Sequence, residues 1–585
     1  MTDTLHEAEV ADPRAVRRAT IIRLATGLAQ GLLLYGLYQA DKSKVWPATQ
    51  RELYAALLMV FLFAPFVVLA GVSALRFRTL AIWKGVAALV AAGLGAYGVW
   101  SGDPAAKGVD GLGPLTFLGV AALIFIGHHL VQPADMERRR IARYEAYFDV
   151  TWKHGVQAVL SLGFTGAFWL LLFLAAALFK LIGVDAIEKL IRHEWFIFPA
   201  TAVVFAAAVQ LTDVRANLVR GVRTVVLTLL AWLLPLMALI AAAFLLTLPF
   251  TGLEPLWKTK SATAILLTAD AFLILLANAA YQDGTETTAV VLKWAARLAG
   301  VLLVPITVLA AYGLSLRIGQ YGLSPDRIIA AACVFVAAGY AVGYTLAAVR
   351  PGAWMRTLEA TNIAMAFVVI AVLLALCMPL ADPRRLSVND QVARLEKGKV
   401  RAEAFDYQFL RFDAGRFGHE ALDRLKASRN AEVAKHASAA SAQTARIYPS
   451  EPVRPEQKPQ ITFHPRGARP PEGFLTAMTA GPRFGGCLSG GAVCDATLLD
   501  VTGDGQPEVL VTSGWEIEVV GAGQDGGWRK LGTFQPPCSG FDSRAAVRDG
   551  KLSAATPAIQ DLVSPNGPMR FVNQDIDACP PGAKP

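Results

Sequence analysis

Charge is the commodity this chain has least of. Only 17% of its 585 residues are charged, 54% are hydrophobic and the mean hydropathy is +0.43, well to the apolar side of an ordinary soluble protein. Long hydrophobic runs are missing beyond residue 381, where a polar tail of about two hundred residues begins. Three catalytic templates are missing as well: there is no G-x-x-x-x-G-K-[ST] phosphate loop, no H-E-x-x-H zinc helix and no G-x-S-x-G nucleophile elbow. No catalytic or cofactor-binding residue is therefore assigned. An enzyme embedded in the membrane ranks behind binding and transport.

What is present is a series of eleven apolar runs of spanning length, at about 19–39, 53–74, 79–100, 112–132, 156–183, 195–212, 222–248, 263–282, 290–313, 327–348 and 361–381. Each must satisfy its own backbone in lipid, so helix is the expected state. Arg14, Arg17 and Arg18, then Arg138, Arg139, Arg140 and Arg143, then Arg215, Arg220 and Arg223, then Arg350 and Arg356 all fall on one side of the series. The positive-inside bias makes that side cytoplasmic. Residues 1–18 are then a cytoplasmic N-terminus, 19–381 a multi-span domain of a bacterial inner membrane, and the tail is periplasmic. Nineteen mostly polar residues precede the first run and no small-residue cleavage pattern follows it, so a retained first helix is expected. Trp46, Trp100, Trp152, Trp195, Trp257 and Trp354 fall at expected span ends and read as interfacial anchors. Lys+Arg and Asp+Glu number 32 and 23 over residues 1–385 but 23 and 23 over 386–585, so the net +9 belongs to the membrane half. Basic loops beside an anionic leaflet account for it, and nucleic acid is not an expected partner.

The tail divides in three. Residues 382–445 carry amphipathic helical stripes, with Val388, Val392 and Leu395 on one and Phe417, Leu422 and Leu425 on another. Residues 446–472 are rich in Pro and charge and read as an extended linker. Residues 473–585 contain β-type runs at Glu508 to Thr512, Trp515 to Val520 and Trp528 to Phe534, between Gly-containing turns. Cys487, Cys494, Cys538 and Cys579 all lie here, whereas Cys333 and Cys377 sit in spans. An even number in an exported domain suggests two disulfides. Cys487–Cys494 with Cys538–Cys579 is favoured because the first pair closes a short Gly-rich loop; four-Cys zinc competes but lacks paired C-x₂-C knuckles.

Asp500-Val-Thr-Gly-Asp-Gly-Gln-Pro-Glu508 is the sharpest local chemistry. Oxygens of Asp500, Thr502, Asp504, Gln506 and Glu508 can converge on a hard cation, Ca²⁺ by preference and structural in role, with Gly505 permitting the turn. The stretch resembles calcium loops of FG-GAP propeller blades over some fourteen residues. An Asp-Gly hairpin turn without metal is the alternative.

Ionisable residues inside spans are the other place to look for function. Asp270 lies a third of the way into the eighth span, with Asn278 two turns away on much the same face and Arg297 on the ninth span as a candidate partner. Their depths differ, Asp270 being nearer the outer edge and Arg297 nearer the inner. Arg23, Lys84, Lys293, His128 and His129 read as interfacial cations. Pro65, Pro235 and Pro305 interrupt spans, and Gly27-x₃-Gly31 and Gly339-x₃-Gly343 offer close helix approach.

Three further stretches carry a family resemblance: Arg317-Ile-Gly-Gln-Tyr321-Gly-Leu-Ser-Pro-Asp-Arg327, Ala280-Tyr-Gln-Asp-Gly284, and Val392-Ala-Arg-Leu-Glu with Phe405-Asp406 and Leu410-Arg-Phe-Asp-Ala-Gly-Arg-Phe-Gly418. They resemble the bacterial polytopic proteins grouped as domain of unknown function 4153, over about residues 15–425. The resemblance implies integral inner-membrane proteins without an established reaction or agreed catalytic residues, so it transfers no role. Ser324-Pro325-Asp326 also has a local meaning, a capped helix start. Arg317 and Tyr321 would then line an outer vestibule. The expected architecture is an α-helical transmembrane bundle of about 11 spans, followed by a soluble periplasmic tail with short helices and a small disulfide-containing β-rich domain. The expected role is binding or scaffolding of envelope proteins through that tail; a transporter of a small or lipid-linked substrate, using the bundle around Asp270, is the alternative.

Overall fold

A computed structural model describes residues 13–106, 112–259, 261–284, 288–350, 354–444, 446, 460–475, 493–512, 514, 516–522, 527–536, 541–555, 562–564 and 567–569. It falls into two compact units, 1–446 and 447–585.

The first unit is helical: α1 (Pro13–Lys42), α2 (Arg51–Gly71), α3 (Phe77–Trp100), α4 (Pro114–Glu137), α5 (Tyr144–Leu181), α6 (Ala186–Arg192), α7 (Glu194–Val214), α8 (Ala216–Thr251), α9 (Glu254–Lys258), α10 (Ala262–Tyr281), α11 (Val290–Tyr321), α12 (Pro325–Val349) and α13 (Thr357–Leu376). Among the described residues eleven of these are long and apolar enough to cross a membrane, the short α6 and α9 being the exceptions. Each expected span has its helix, and several helices run past the apolar limits. α11 continues to Tyr321 and α5 begins at Tyr144, because polar residues beyond the hydrocarbon still gain a backbone hydrogen bond per turn position. Pro65, Pro235 and Pro305 lie inside helices as expected. A Cβ at Gly27 or Gly31 would collide with the backbone of α7 at Ala202 or Pro199, so these glycines are what lets α1 and α7 touch. Large apolar side chains such as Leu89, Leu170, Leu229 and Phe250 face outward and exposed, the surface a lipid solvent selects.

Four more helices complete this unit: α14 (Pro383–Glu396), α15 (Tyr407–Phe412), α16 (Gly415–Lys426) and α17 (Ala431–Ser441). Their stripes meet in one small core containing Val388, Val392, Leu395, Leu410, Leu422 and Leu425. The expected amphipathic helices are present, and they cluster with the bundle.

The second unit is built on a five-stranded sheet: β1 (Gln460–His464), β2 (Val493–Leu499), β3 (Glu508–Thr512), β4 (Ile517–Ala522) and β5 (Trp528–Phe534), in that order. β1 pairs parallel with β2, and the remaining neighbours are antiparallel. β1 corrects the expected linker at 446–472: Phe463 alternates into the core, which repays pairing despite the surrounding prolines. Phe463, Phe474, Ala496, Val509, Val511 and Val520 form one core, and Leu510, Ile517 and Val547 of the helix α18 (Ser543–Arg548) form another. β3 is thus buried throughout. A two-stranded hairpin, β6 (Leu562–Ser564) and β7 (Gly567–Met569), follows.

Candidate functional site

Asp270 sits on the inner face of α10 and is 1% exposed. Its Oδ2 accepts a hydrogen bond from Thr307 Oγ1 on α11 at 2.8 Å, while Oδ1 is buried without a partner. Leaving a carboxylate oxygen dry and unpaired is costly, so the site calls for a donor or a cation from outside the protein's own side chains. The residue lines a cavity of about 750 Å³ between α10, α12 and α13, together with Asn278, Cys333 and Tyr340. Phe272, Leu275 and Cys333 on its wall are exposed, so the cavity opens sideways through the face of the bundle that lipid would cover.

Asn278 also borders a second, smaller cavity of about 250 Å³, lined by His129, Tyr144, Tyr147, Trp152 and Asn362. Asn278 belongs to a closed polar knot. Asn362 Nδ2 donates to Asn278 Oδ1 at 2.6 Å and to the Tyr144 hydroxyl at 3.1 Å. Asn278 Nδ2 donates to the Tyr344 hydroxyl at 2.6 Å, and Tyr344 donates to Asn362 Oδ1 at 2.9 Å. Four side chains from α5, α10, α12 and α13 so satisfy one another, and Asn278 among them borders both cavities.

The candidate pairing of Asp270 with Arg297 does not form, in keeping with their different depths. Arg297 lies over the ring of Trp294 at 5.5 Å and its Nε is buried without a partner. Depth explains it: Thr307 is ten residues, about 15 Å, further along α11 than Arg297, and it is Thr307 that reaches the level of Asp270. Arg317 donates to the carbonyls of Trp257 and Thr259, both at 3.4 Å, and so holds α9 against α11. The ring of Tyr321 is exposed beneath the guanidinium of Arg327, 5.5 Å away. Neither residue joins the Asp270 cavity.

Arg23, expected at the interface, is instead 1% exposed. Its guanidinium donates to the Leu69 carbonyl at 2.9 Å, Ser73 Oγ at 3.0 Å, Asp213 Oδ2 at 2.8 Å and Gln210 Oε1. Lys153 meets the other oxygen of Asp213 at 2.8 Å. His128 and His129 are likewise buried, with His154 Nδ1 3.1 Å from His129 Nε2. A position near the end of an apolar run marks these residues as interfacial only while the neighbouring helices are ignored.

The family-like stretches find their meaning at the opposite end of the bundle. Asp390 of α14 accepts from the Leu323 N–H at 2.7 Å, Gln391 donates to the carbonyls of Tyr321 and Leu323, both at 2.8 Å, and Arg394 donates to that of Gln320 at 2.8 Å. Arg416 of α16 stacks on Trp100 at 4.6 Å, donates to its carbonyl at 2.9 Å and donates its own N–H to Gly102 at 2.9 Å. Gly415, at φ +54°, lies so near the Ser101 carbonyl that a Cβ would clash. Ser324 caps α12 as expected, accepting from the Arg327 N–H at 3.3 Å.

In the second unit Asp500, Asp504 and Glu508 bring carboxylate oxygens within 4.8 Å of one another in the β2–β3 connection. Thr502 Oγ donates to Glu508 Oε1 at 3.0 Å. Glu508 also accepts from the Val501 N–H at 2.8 Å, and Asp500 accepts from the N–H groups of Gly503 and Gly505 at 2.6 and 2.9 Å. Gln506 is exposed, and its N–H donates to Asp504 at 2.8 Å. Asp495 of β2, which no sequence motif singled out, joins His464 Nε2 and Arg544 Nε, both at 2.8 Å. Burial pushes its pKa up, but hydrogen bonds from His464 and Arg544 outweigh that and hold it below the ordinary 3.8. Cys333 and Cys377 are free thiols, Cys494 is fully buried in β2, and Cys487, Cys538 and Cys579 lie outside the described residues.

No curated protein and no solved structure matches the chain. The profile of a family described as Domain of unknown function (DUF4153) matches residues 43–425, which is more than half of the 585. It takes in ten of the spans and both sets of clasping residues, and stops short of the β-sheet unit: the chain is a multi-pass membrane protein belonging to the DUF4153 family.

Proposed function

We propose that the helical bundle binds, and moves between the two cavities that Asn278 borders, a lipid-soluble or lipid-linked substrate whose polar end carries a cation or a hydrogen-bond donor. The observation that carries this reading is the unpartnered Asp270 Oδ1 on the wall of a sideways-opening, mostly apolar cavity. Such a chamber suits a molecule that arrives from the bilayer with its chain among Val336, Val369 and Val372 and its head at Asp270. The Asn278–Asn362–Tyr144–Tyr344 knot is then the gate that must rearrange for passage. A long-chain amine is the test ligand: it should protect Cys333, which shares the cavity, from a membrane-permeant maleimide. Asp270→Asn should abolish the protection, and equal protection in both proteins would reject the site.

A second reading has its own observation, the separate compact unit 447–585. In it that unit is periplasmic, cross-linked as Cys487–Cys494 and Cys538–Cys579, steadied by Ca²⁺ at Asp500, Asp504 and Glu508, and bound to other envelope proteins, with the N-terminus cytoplasmic in a bacterial inner membrane. Deleting 447–585 abolishes the cellular phenotype under this reading and Asp270→Asn spares it; the transport reading expects the reverse.

A further inference from the structure

At the Arg-rich end of the bundle, away from Asp270, a cavity of about 1510 Å³ opens between α1, α2, α3, α7 and α8. Six cations line it, among them Arg18, Lys84, Arg215 and Arg220, against a single acid, Asp213. That acid is already met by two cations, Arg23 and Lys153, both at 2.8 Å, so it neutralises none of the others. Arg18, Lys84 and Arg215 make no ion pair among the described residues, and Arg220 has only the neutral Asn217 at 2.7 Å. Behind the cations the wall is apolar, with Val68, Val72, Leu75 and Leu80. Concentrating unpaired positive charge around a concave surface raises its potential and selects an anion, and the apolar wall adds room for a chain.

We infer that this cavity is a binding site for a phosphate group, held by Arg18, Lys84 and Arg215 with Arg220 at the rim. Arg guanidinium forks suit the paired oxygens of a phosphate, and Lys84 supplies a mobile point charge. The volume far exceeds that of an inorganic ion and accommodates a lipid headgroup with the first part of its chains. The site is independent of the Asp270 reading, since no residue is shared by the two cavities.

The test uses the full chain purified in neutral detergent, with its apparent melting temperature read after addition of phosphatidic acid, of an uncharged glucosyl-diacylglycerol, or of inorganic phosphate. Phosphatidic acid should raise it by about 3 °C and the uncharged lipid should not. A rise with phosphatidic acid alone assigns the group to a lipid, and an equal rise with inorganic phosphate assigns it to a soluble anion; either supports the site. The combined variant Arg18→Gln, Lys84→Gln, Arg215→Gln should lose the rise, while Arg139→Gln with Arg140→Gln, exposed at the same end, should keep it. Equal stabilisation by charged and uncharged lipids, or equal loss in the two variants, would overturn the inference. Asp270→Asn is expected to leave the rise intact.

Discussion

Arg23 concentrates four acceptors from two helices and a connecting segment on one guanidinium, and replacing it removes that shared donor from each of them. Arg23→Met leaves Asp213 with Lys153 and Ser73 and leaves the Leu69 carbonyl and Gln210 without this donor; breaking a buried pair in this way costs about 3–5 kcal/mol. Arg23→Lys keeps the charge but not the fork, so its loss should be smaller. Detergent-based unfolding of the three proteins checks the ranking. Asp495 gives a prediction in pH. Its folded pKa is depressed, so its contribution is fully present above 3.8, the ordinary value, and disappears as pH falls through the lower folded value. Hydrogen exchange of β1 and β2 in the whole chain should accelerate over that window in the wild type. Asp495→Asn should already exchange fast at neutral pH and lose the acid step. Of these residues Asp270 was legible from its type alone, because a carboxylate in an apolar run is conspicuous. Thr307 was not: its hydroxyl marks nothing until the relative depth of α10 and α11 is known.

α14 and α16 act as clasps. One engages the connection around Leu323, the other the connection around Gly102, and each does so through backbone groups that a lipid-free bundle end would leave to water. Asp390→Ala frees the Leu323 N–H, and Arg416→Ala frees the Trp100 carbonyl and removes the guanidinium from its ring. Both should bring faster tryptic cleavage at Arg394 and Arg411, which are otherwise held in hydrogen bonds to Gln320 and Gln443. Gly418→Ala is harsher for its size, since a Cβ there meets the Leu410 carbonyl directly; about 1–3 kcal/mol of overpacking is expected. Spans could be read from the sequence because an apolar run of spanning length is visible without tertiary knowledge, and the amphipathic helices because a 3.6-residue period is. β1 could not: its five residues lie in a Pro-rich stretch and become a strand only because β2 offers a parallel edge.

The whole molecule consists of two compact units, one of membrane-length helices and one built on a β-sheet, and they should melt separately. Under the calcium proposal the ion moves only the transition of 447–585, by about 2.7 kcal/mol at a hundredfold excess over its dissociation constant. Asp504→Ala should cancel that movement, and calorimetry with and without a chelator reads it. The hydrogen bonds that Asp500 and Glu508 already make to backbone N–H groups set the alternative outcome, a loop that holds its shape unaided. Which of these governs was beyond sequence pattern, since the same Asp-Gly spacing serves both.

The segment that completes the loop after the third span is Arg416, and it is translated 316 residues later than Trp100. At roughly 5–20 residues per second, that loop waits on the order of tens of seconds for the side chain that covers it. Premature termination just past the last span would therefore yield a full set of inserted helices with an unfinished rim, a species for membrane quality control to recognise.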